Sequence, residues 1–375
     1  MKRVKLMWIL IGCLIIIYIA VFMILHKINS QQVERRIYNR WEKSYVIKKN
    51  KHETFVNTSN KPDKPVALSE GQGYGLYITV KAGAKGWAKE SDFKSLLNYY
   101  LHHRESIGQN TTYLMKWRQS KKDGRWVSQR SSATDGDLYI AESLILAQKV
   151  WPKHQTYYQK LARNVANDIL TYEYNEKMRV LTVGSWATKN SDYYNLMRTS
   201  DVAPAFFETF YQESHDKRWI TVKSGMLDRM VDLSNQHKTS LVPDFAWIKV
   251  KDAYPVKPQT ISSLNDGDYS ANASRVPMML ADSNDLRAQK VRHKLLDFFD
   301  KQEKITAGYA LNGHPLNNYQ SNSFRAPIFY AVNKERNLNY NQLFTSQQKI
   351  FAQPLVTNNY YDATLTTMAV LEGIN

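Results

Sequence analysis

Hydrophobic positions repeat at the spacing of an α-helix in several long segments of this chain. Between Leu138 and Trp151 the apolar residues fall three or four positions apart, which places them on one face of a helix. Residues Tyr157–Leu170 and Leu286–Phe299 show the same period. Few segments alternate between apolar and polar residues as a half-buried strand does, and no short-period repeat indicates a solenoid. The pattern predicts an all-α fold of about ten to twelve helices.

A different pattern opens the chain, where Met7–Leu25 is an uninterrupted apolar run of 19 residues. At ~1.5 Å per residue, a helix of this length covers roughly 28 Å, close to the ~30 Å hydrocarbon core of a bilayer. A secretory signal peptide has a shorter apolar region and small residues at its cleavage site, and neither is present. The lipobox-like Leu10–Cys13 is followed, rather than preceded, by most of the apolar residues. The run therefore predicts an uncleaved signal-anchor that crosses the membrane once.

Basic residues flank the apolar run on both sides: Lys2, Arg3 and Lys5 stand before it, and Arg35, Arg36 and Arg40 follow it. The cluster at the very start favours a cytoplasmic N-terminus, so we expect a cell-membrane protein whose remaining chain is extracellular. The sequence predicts three parts: a cytoplasmic tip and transmembrane anchor over 1–27, a polar stalk or peripheral segment over 28–64, and one large domain over 65–375.

The chain carries 51 Lys and Arg against 34 Asp and Glu, which gives a formal net charge of +17. Such an excess suits a polyanionic neighbour, such as anionic lipid or an acidic surface polymer, or it serves solubility alone. The basic residues are scattered apart from short clusters such as Lys48-Lys49 and Lys121-Lys122. No nucleic-acid motif is present, so we predict no nucleic-acid partner. Because Cys13 is the only cysteine, an intrachain disulfide is excluded.

The first candidate chemistry lies in Ser69-Glu70-Gly71-Gln72-Gly73-Tyr74-Gly75, where three glycines fall within five residues. Glycines permit tight turns and the close approach of a ligand to the backbone. A carboxylate among them can lose its water, which raises its pKa as a general acid requires. The alternative interpretation is a glycine-rich turn with an exposed glutamate.

The second candidate is Ala133-Thr134-Asp135-Gly136-Asp137, which leads directly into the helix that ends near Trp151. An aspartate at a helix start caps free N–H groups and complements the helix dipole. One aspartate is enough for that purpose, so the other is free to face a cleft.

Together these two segments resemble glycoside hydrolase family 8. The first is like the family's Ser-Glu-Gly-Gln-Gly-Tyr-Gly segment, and the second is like its Ala-Thr-Asp-Gly-Asp signature, continued here through Ile140-Ala141 to Trp151. The resemblance covers roughly residues 60–370. It implies an (α/α)6 barrel and an inverting hydrolysis of O-glycosyl bonds in a β-linked polysaccharide, with no metal and no cofactor.

The resemblance also implies roles for individual residues. Glu70 would protonate the leaving glycosidic oxygen, and Asp135 would bind and distort the sugar at the cleavage point. The predicted substrate-binding residues are Tyr74, Trp117, Trp186, Tyr194, Tyr269, Asn272 and Arg275. For each aromatic residue taken alone, core packing is the competing interpretation.

An inverting hydrolase needs a second carboxylate, ~6.5–9.5 Å from the first, to activate water. In much of the family this base is the Asp of a Tyr-Asp-Ala-x-Arg-Val-Pro segment, but Asn272 occupies that position here, ahead of Arg275. A chitosanase-like branch shares this Asn and takes its base from the preceding loop. The Glu of that branch is replaced by Ser262, which leaves Asp266 and Asp268 as the candidate bases. Both are also ordinary turn residues.

These features predict a membrane-anchored, extracytoplasmic endo-glycosidase that acts on a cell-surface polysaccharide or exopolysaccharide. Its expected partners are the polymer, the membrane and the machinery that synthesises or exports the polymer. The alternative is a catalytically impaired polysaccharide-binding protein of the same fold, because Asn272 cannot accept a proton from water as a carboxylate does.

Overall fold

The computed structural model describes residues 2–61, 63–122, 124–335 and 339–374, and the side chains of 2–7, 9–10, 17 and 19–28 lie outside this description. The helices of the described residues are α1 Lys2–Tyr45, α2 Ser69–Ala84, α3 Glu90–His102, α4 Thr134–Val150, α5 Gln155–Tyr172, α6 Pro204–Ser214, α7 Arg218–Asn235, α8 Val276–Ala281, α9 Leu286–Asp300, α10 Asn322–Lys334, α11 Asn341–Gln348 and α12 Tyr360–Leu371.

Short antiparallel strands connect these helices: β1 Val46–Lys48, β2 Thr54–Val56, β3 Val66–Leu68, β4 Arg104–Ile107, β5 Asn110–Met115, β6 Arg118–Lys122, β7 Arg125–Ser128, β8 Tyr174–Asn175, β9 Val180–Leu181, β10 Leu196–Arg198, β11 Phe245–Ile248 and β12 Ala253–Pro255. The three-stranded sheets have the orders β3-β6-β7 and β10-β11-β12. The other strands form two-stranded hairpins.

The even-numbered helices form a closed ring, in which each helix contacts the next and α12 returns to α2. Each odd-numbered helix packs on the outside of this ring, α1 against α12 and α3 against α2, and so on around the molecule. This is the architecture of an (α/α)6 barrel, and the large apolar core lies between the two layers. The three segments with a clear helical period are α4, α5 and α9, so those predictions are confirmed.

The C-terminal half of α1 packs on the barrel, which favours the peripheral segment over the stalk, the two alternatives predicted for 28–64. Ile37, Tyr38, Trp41 and Tyr45 are all buried in the main core. The indole N–H of Trp41 donates to the hydroxyl of Thr364 on α12 at 2.9 Å. The spacing of these four residues is the helical period of an outer helix, which the high content of charged residues around them obscures in the sequence.

The N-terminal half of α1 contains the predicted anchor. Among the residues that the structure describes, no helix is both long enough and apolar enough to cross a membrane. Most side chains of residues 7–25 lie outside the description. The transmembrane anchor therefore stays a prediction.

Glycines allow α2 and α4 to run side by side in parallel. A Cβ atom on Gly73 would lie 2.8 Å from the carbonyl oxygen of Gly136 and 2.9 Å from Cβ of Tyr139, both on α4. A Cβ atom on Gly136 would lie 2.7 Å from the backbone nitrogen of Glu70. The glycine-rich segment is thus the first turns of a helix rather than a turn or loop. Its glycines serve helix–helix contact, and they bring the N-termini of both helices to the same end of the barrel.

Candidate active site

Glu70 and Asp135 lie in the first turns of the neighbouring inner helices α2 and α4. A helix N-terminus favours negative charge, so two such ends in parallel suit a pair of carboxyl groups. Arg275, just before α8, joins them. Its Nη1 donates to Oε1 of Glu70 at 2.9 Å and to Oδ2 of Asp135 at 3.2 Å. The structure thus brings together the two residues that the motifs single out, and adds a shared cation.

The three side chains differ in their access to solvent. The side chain of Arg275 is 3% exposed and that of Asp135 is 10% exposed, whereas that of Glu70 is 19% exposed. The phenol oxygen of Tyr74 lies 2.7 Å from Nη1 of Arg275 and helps to hold the guanidinium from behind. Glu70 is therefore the member of the group that faces the opening.

The environment separates the pKa values of the two carboxyl groups. Burial raises the pKa of Glu70, and the charge of Asp135 adds to this, against the lowering effect of Arg275. Burial also acts to raise the pKa of Asp135, but Arg198 and Arg275 outweigh it and lower that pKa below its usual value. The environment thus favours the protonated form of Glu70 and the ionised form of Asp135, which is how one site divides acid and anionic roles.

Arg198 and Asp201 belong to this group, although the sequence analysis missed both. Nη1 of Arg198 lies 2.5 Å from Oδ2 of Asp135 and 3.4 Å from Oδ1 of Asp201. Burial raises the pKa of Asp201 to about 7, against the effect of Arg198. Both residues lie in Leu196-Met197-Arg198-Thr199-Ser200-Asp201, just before α6 and close in sequence to the predicted Tyr194. Without a tertiary structure, nothing in that segment singles out these two.

The second aspartate of the Asp-Gly-Asp motif, Asp137, points away from the cleft. It is fully buried, and its Oδ1 accepts a hydrogen bond from the backbone N–H of Met115 at 2.8 Å. Burial raises its pKa, and the nearby Glu173 raises it further. The structure thus separates the pair: Asp135 faces the cleft and Asp137 ties α4 to β5.

Asn272 continues the chain of contacts away from Glu70. Its side-chain oxygen accepts from Nη2 of Arg275 at 2.8 Å, and its amide nitrogen donates to Oδ2 of Asp244 at 3.3 Å. Oδ1 of Asp244 accepts the backbone N–H groups of Ser270 and Ala273 at 3.0 and 2.7 Å. Burial raises the pKa of Asp244 to about 6. Asp244 is 1% exposed, so its carboxylate holds the loop before α8.

Comparison with known proteins decides the family. Residues 16–373 match the family model described as glycosyl hydrolases family 8. The chain belongs to glycosyl hydrolase family 8. The resemblance inferred from the two motifs is confirmed at the level of the family, and so is the prediction of an inverting hydrolase of O-glycosyl bonds. The finer prediction of a chitosanase-like branch stays a prediction.

Several named relatives lie at modest identity. The chain is 28% identical over 304 residues to a β-glucanase of Niallia circulans, a match that covers 78% of this chain and 72% of the relative. It is 28% identical over 325 residues to an endoglucanase of Bacillus sp. strain KSM-330, covering 79% and 66%. Among solved structures, a β-1,3-1,4-glucanase from Paenibacillus sp. X4 superimposes with a TM-score of 0.80 at 24% identity over 92% of each chain, which shows a shared fold.

The two predicted candidate bases of this family 8 protein differ in their surroundings. Oδ2 of Asp266 accepts the backbone N–H groups of Ile261 and Ser262 at 2.7 and 3.0 Å, and Oδ1 accepts that of Ser263 at 3.2 Å. Asp266 is 1% exposed. Its carboxylate is buried and accepts three backbone N–H groups of its own loop, and the catalytic role of Asp266 stays a prediction.

Asp268 has the freer carboxylate. It is half-buried, and no hydrogen bond or ion pair joins its side chain to another described residue. Its backbone oxygen accepts from the N–H of Asp244 at 2.8 Å, which places it beside the loop that carries Asn272. Burial raises the pKa of Asp268.

Two predicted sugar-binding aromatics lie inside the protein and correct that prediction. Tyr74 is fully buried, with its ring 4.7 Å from that of Tyr139, so it supports Arg275 rather than stacking on a sugar. Tyr269 is also fully buried and packs on Phe299 at 5.5 Å. Core packing, the competing interpretation for any single aromatic, holds for both.

The other predicted aromatics lie at the surface of the same end. Trp117 is half-buried, and its backbone oxygen accepts the N–H of Ser69 at 2.9 Å, one residue before Glu70. Trp186 is 39% exposed and packs edge-on against Tyr193 at 5.3 Å. Tyr194 is half-buried.

The structure adds Tyr361, at the start of α12, which the sequence analysis did not name. Its hydroxyl donates to the backbone oxygen of Ala271 at 3.1 Å, and its ring lies 6.0 Å from the guanidinium carbon of Arg275. Among the described residues, no group of three or more His, Cys, Asp or Glu side chains is placed to hold a metal ion.

Proposed function

We propose that this family 8 protein is an endo-acting, inverting hydrolase of a β-linked polysaccharide. The observation that carries the proposal is the pair of carboxyl groups that share Arg275, Glu70 at 2.9 Å and Asp135 at 3.2 Å, at the N-termini of two parallel inner helices, with Glu70 the more exposed. The opposite directions of their pKa shifts agree with separate acid and anionic roles. A protonated acid with access to the cleft is the group that a leaving glycosidic oxygen requires. The names of the relatives, a β-glucanase and an endoglucanase, favour a β-glucan backbone.

In this mechanism Glu70 gives its proton to the glycosidic oxygen while water attacks the anomeric carbon from the opposite face. Asp135 stays ionised and binds the sugar at the cleavage point, where its charge also favours the positive charge that develops on the ring. The attacking water loses a proton to a base, and the new reducing end has the inverted configuration.

We assign the base to Asp268. Asp266 and Asp244 are each 1% exposed, and every carboxylate oxygen of the two already accepts at least one hydrogen bond from the protein. Asp268 keeps a half-exposed carboxylate with raised pKa on the same loop. Asp268, in the preceding loop, then supplies the carboxylate that position 272 lacks. The chitosanase-like branch likewise takes its base from this loop.

The test compares the full chain in detergent with its Glu70→Gln and Asp268→Asn variants on mixed-linkage β-glucan, carboxymethyl cellulose, xylan and chitosan. We expect new reducing ends from at least one polymer, and a loss of roughly 10²–10⁴-fold in kcat in each variant. Proton NMR of the first products gives the anomeric configuration. An unchanged rate in Glu70→Gln on every polymer that is cut would contradict the proposal.

Asp244→Asn serves as the matched control for the base. Azide, a small anion that needs no deprotonation, should restore turnover to Asp268→Asn, because it replaces water that lacks a base. Asp244→Asn should mainly lower the melting temperature, since three donors lose a charged acceptor. Azide rescue of Asp244→Asn instead of Asp268→Asn would move the base to Asp244.

We also propose that the N-terminal run anchors the protein in the cell membrane with the barrel outside the cell. Support comes from the described side chains of the run: Trp8, Leu14, Ile16 and Tyr18 are each more than 60% exposed. Such a row is unfavourable in water and favourable in lipid. An anchored enzyme would act on a surface polysaccharide or exopolysaccharide, beside the machinery that makes or exports it. Alkaline carbonate extraction of membranes tests the anchor, because an integral protein stays in the pellet.

A polysaccharide-binding protein that has lost hydrolysis is the second candidate, and Asn272 is the observation that favours it. Under this alternative, electrophoresis in native gels that contain the polymer would slow the wild type and Glu70→Gln equally. Neither protein would create reducing ends. The first proposal expects equal retardation but a large difference in hydrolysis.

A further inference from the structure

Two basic clusters that are distant in the sequence meet at one aromatic ring, Trp126. Nζ of Lys49 lies 3.9 Å from the centre of the Trp126 ring, and Nζ of Lys121 lies 5.9 Å from the same centre. Both cations therefore contact the same aromatic ring of the β6–β7 hairpin. Lys121 and Trp126 lie on one face of this hairpin, whereas the exposed Lys122 and Arg125, together with Arg118, lie on the other. We call these five cations, on the two faces of one hairpin, the basic hairpin.

The basic hairpin is continuous with the catalytic end of the barrel. Leu68 of β3 pairs with Arg118 of β6, and β3 runs directly into the helix that carries Glu70. Trp117, which precedes Arg118, binds Ser69 through its backbone. The guanidinium carbon of Arg118 lies 5.7 Å from the Trp117 ring. A polymer that leaves the cleft past Trp117 would next meet the cations of this hairpin.

Among the described residues, the cations of the hairpin have few compensating carboxylates; Asp123, between Lys122 and Arg125 in the sequence, lies outside the described residues. Lys122 lies directly opposite Arg125 in the register of β6 and β7, and like charges in such a pair destabilise a sheet. Arg118, Lys121, Lys122 and Arg125 form no salt bridge with any carboxylate among the described residues. Glu53 lies near Lys49 but pairs with His102 at 2.6 Å. The repulsion among these cations is unfavourable in the free protein, and an anion bound across the hairpin offsets it.

The position of the hairpin argues against a lipid surface as that anion. Helix α1 is antiparallel to α2. Glu34 of α1 pairs with Lys85 at the end of α2, whereas Tyr45 of α1 packs on Tyr360, which lies beside Gly71 near the start of α2. The helical segment from Leu25 to Tyr45 spans ~30 Å. The hairpin lies at the Tyr45 end, so it is several Debye lengths of ~8 Å from the bilayer that the anchor would occupy.

From these contacts we propose that the basic hairpin is a polyanion-binding extension of the cleft, and that the substrate is a β-linked polysaccharide that carries carboxylate or phosphate groups. This inference rests on the proposed function and narrows its substrate class. The cations bind the charged substituents of the chain beyond the cleavage point, while Glu70 and Asp135 act on the backbone as before.

The experiment compares three soluble polymers with one backbone: hydroxyethyl cellulose, which is neutral, carboxymethyl cellulose and phosphorylated cellulose. The full chain in detergent is measured as wild type, as Lys122→Glu/Arg125→Glu, and as Lys122→Gln/Arg125→Gln. In the charge-reversed variant, positions 122 and 125 still carry like charges across the two strands. The variant therefore reverses the charge of the surface but keeps the cross-strand repulsion. The control pair, Lys153→Glu/Lys160→Glu, makes the same charge change at exposed residues elsewhere.

Each exposed ion contact contributes a factor of roughly 1.5 to 5 in affinity. We therefore expect charge reversal to raise KM for both anionic polymers by about tenfold, and neutralisation by a few fold, with kcat unchanged. KM for hydroxyethyl cellulose and all values of the control pair should change by less than about twofold. Added salt should remove most of the difference between the polymers.

Equal changes on neutral and anionic polymers, or the same change in the control pair, would overturn the proposal. The two anionic polymers tell carboxylate from phosphate recognition. Unchanged KM combined with lost binding to phosphatidylglycerol nanodiscs would assign the hairpin to lipid instead. If the wild type cuts none of the polymers, the proposed function fails, and retardation in polymer-containing gels still decides whether the hairpin binds the anionic forms.

Discussion

At the scale of single residues, the site depends on how one guanidinium is shared. Arg275 contacts both Glu70 and Asp135, yet the pKa of one rises and that of the other falls. The difference comes from Arg198, whose guanidinium lies 2.5 Å from Asp135 and so favours the ionised form of that residue most. Two cations on one carboxylate leave the other free to keep its proton.

This arrangement predicts the pH dependence of Asp135→Asn. Glu70 must be protonated to act, so kcat/KM falls as the pH rises through its pKa. The charge of Asp135 raises that pKa, and Arg275 and Arg198 lower it. Burial, the largest cause of the raised pKa of Glu70, and the two cations remain in the variant, but the raising effect of the Asp135 charge is lost, so the alkaline limb of the residual activity should move to lower pH. The exposed Asp192→Asn is the control and should leave the profile in place. An alkaline limb that stays or moves upward in Asp135→Asn would contradict this account.

At the scale of elements, the contact between α2 and α4 decides where the two carboxyl groups stand. We expect Gly73→Ala to destabilise the protein by about 1–3 kcal/mol, because its methyl group would need space now filled by Gly136 and Tyr139. Thermal or urea unfolding measures the loss, and kcat should fall as the two helices separate. Gly12→Ala, where nothing lies within 4 Å of the added atom, should leave the melting temperature unchanged. Equal melting temperatures for both variants would show that α2 and α4 tolerate the methyl group.

Helix α1 gives the second prediction at this scale. Trp41→Ala should cost about 3–5 kcal/mol, because the indole is fully buried and holds Thr364 on α12. Tyr319→Ala, at a tyrosine that is 56% exposed, is the control and should have little effect. A chain that begins at residue 29 should unfold cooperatively, whereas one that begins at residue 46 should not. Cooperative unfolding of the shorter chain would restore the predicted stalk.

At the scale of the whole molecule, the direction of α1 determines which end of the barrel lies nearer to the N-terminal apolar run. Its Glu34 lies by the far end of α2 and its Tyr45 by the catalytic end, so an anchor at its start leaves the cleft facing away from the bilayer. With the proposed anchor in the membrane and the barrel outside the cell, the open end of the barrel would be accessible to an extracellular polymer.

This orientation predicts that the membrane does not hinder a soluble substrate. The full chain in neutral nanodiscs and a chain that begins at residue 29 should have kcat/KM values within about twofold of each other, because the bilayer blocks no approach to the cleft. Initial rates on the polymer that the enzyme cuts best supply the measurement. A much slower anchored enzyme would mean that the cleft faces the membrane.

Much of this could be predicted from the sequence, because the signals are local. A helical period along α4, α5 and α9 follows from the 3.6-residue repeat, and two compact motifs carry Glu70 and Asp135. The family follows from those motifs and is confirmed. Both carboxylates lie in first turns of helices, where the neighbouring sequence already determines the backbone conformation.

What only the tertiary structure decided depends on residues far apart in the chain. Arg198, Asp201 and Tyr361 join the site because the N-termini of inner helices meet at one end of a ring, which no local pattern encodes. In the loop before Asn272 the fold buries Asp266 but leaves Asp268 partly exposed. It also buries the side chains of Tyr74 and Tyr269. Closure of the ring also made half of α1 an outer helix, since a barrel needs every apolar face covered.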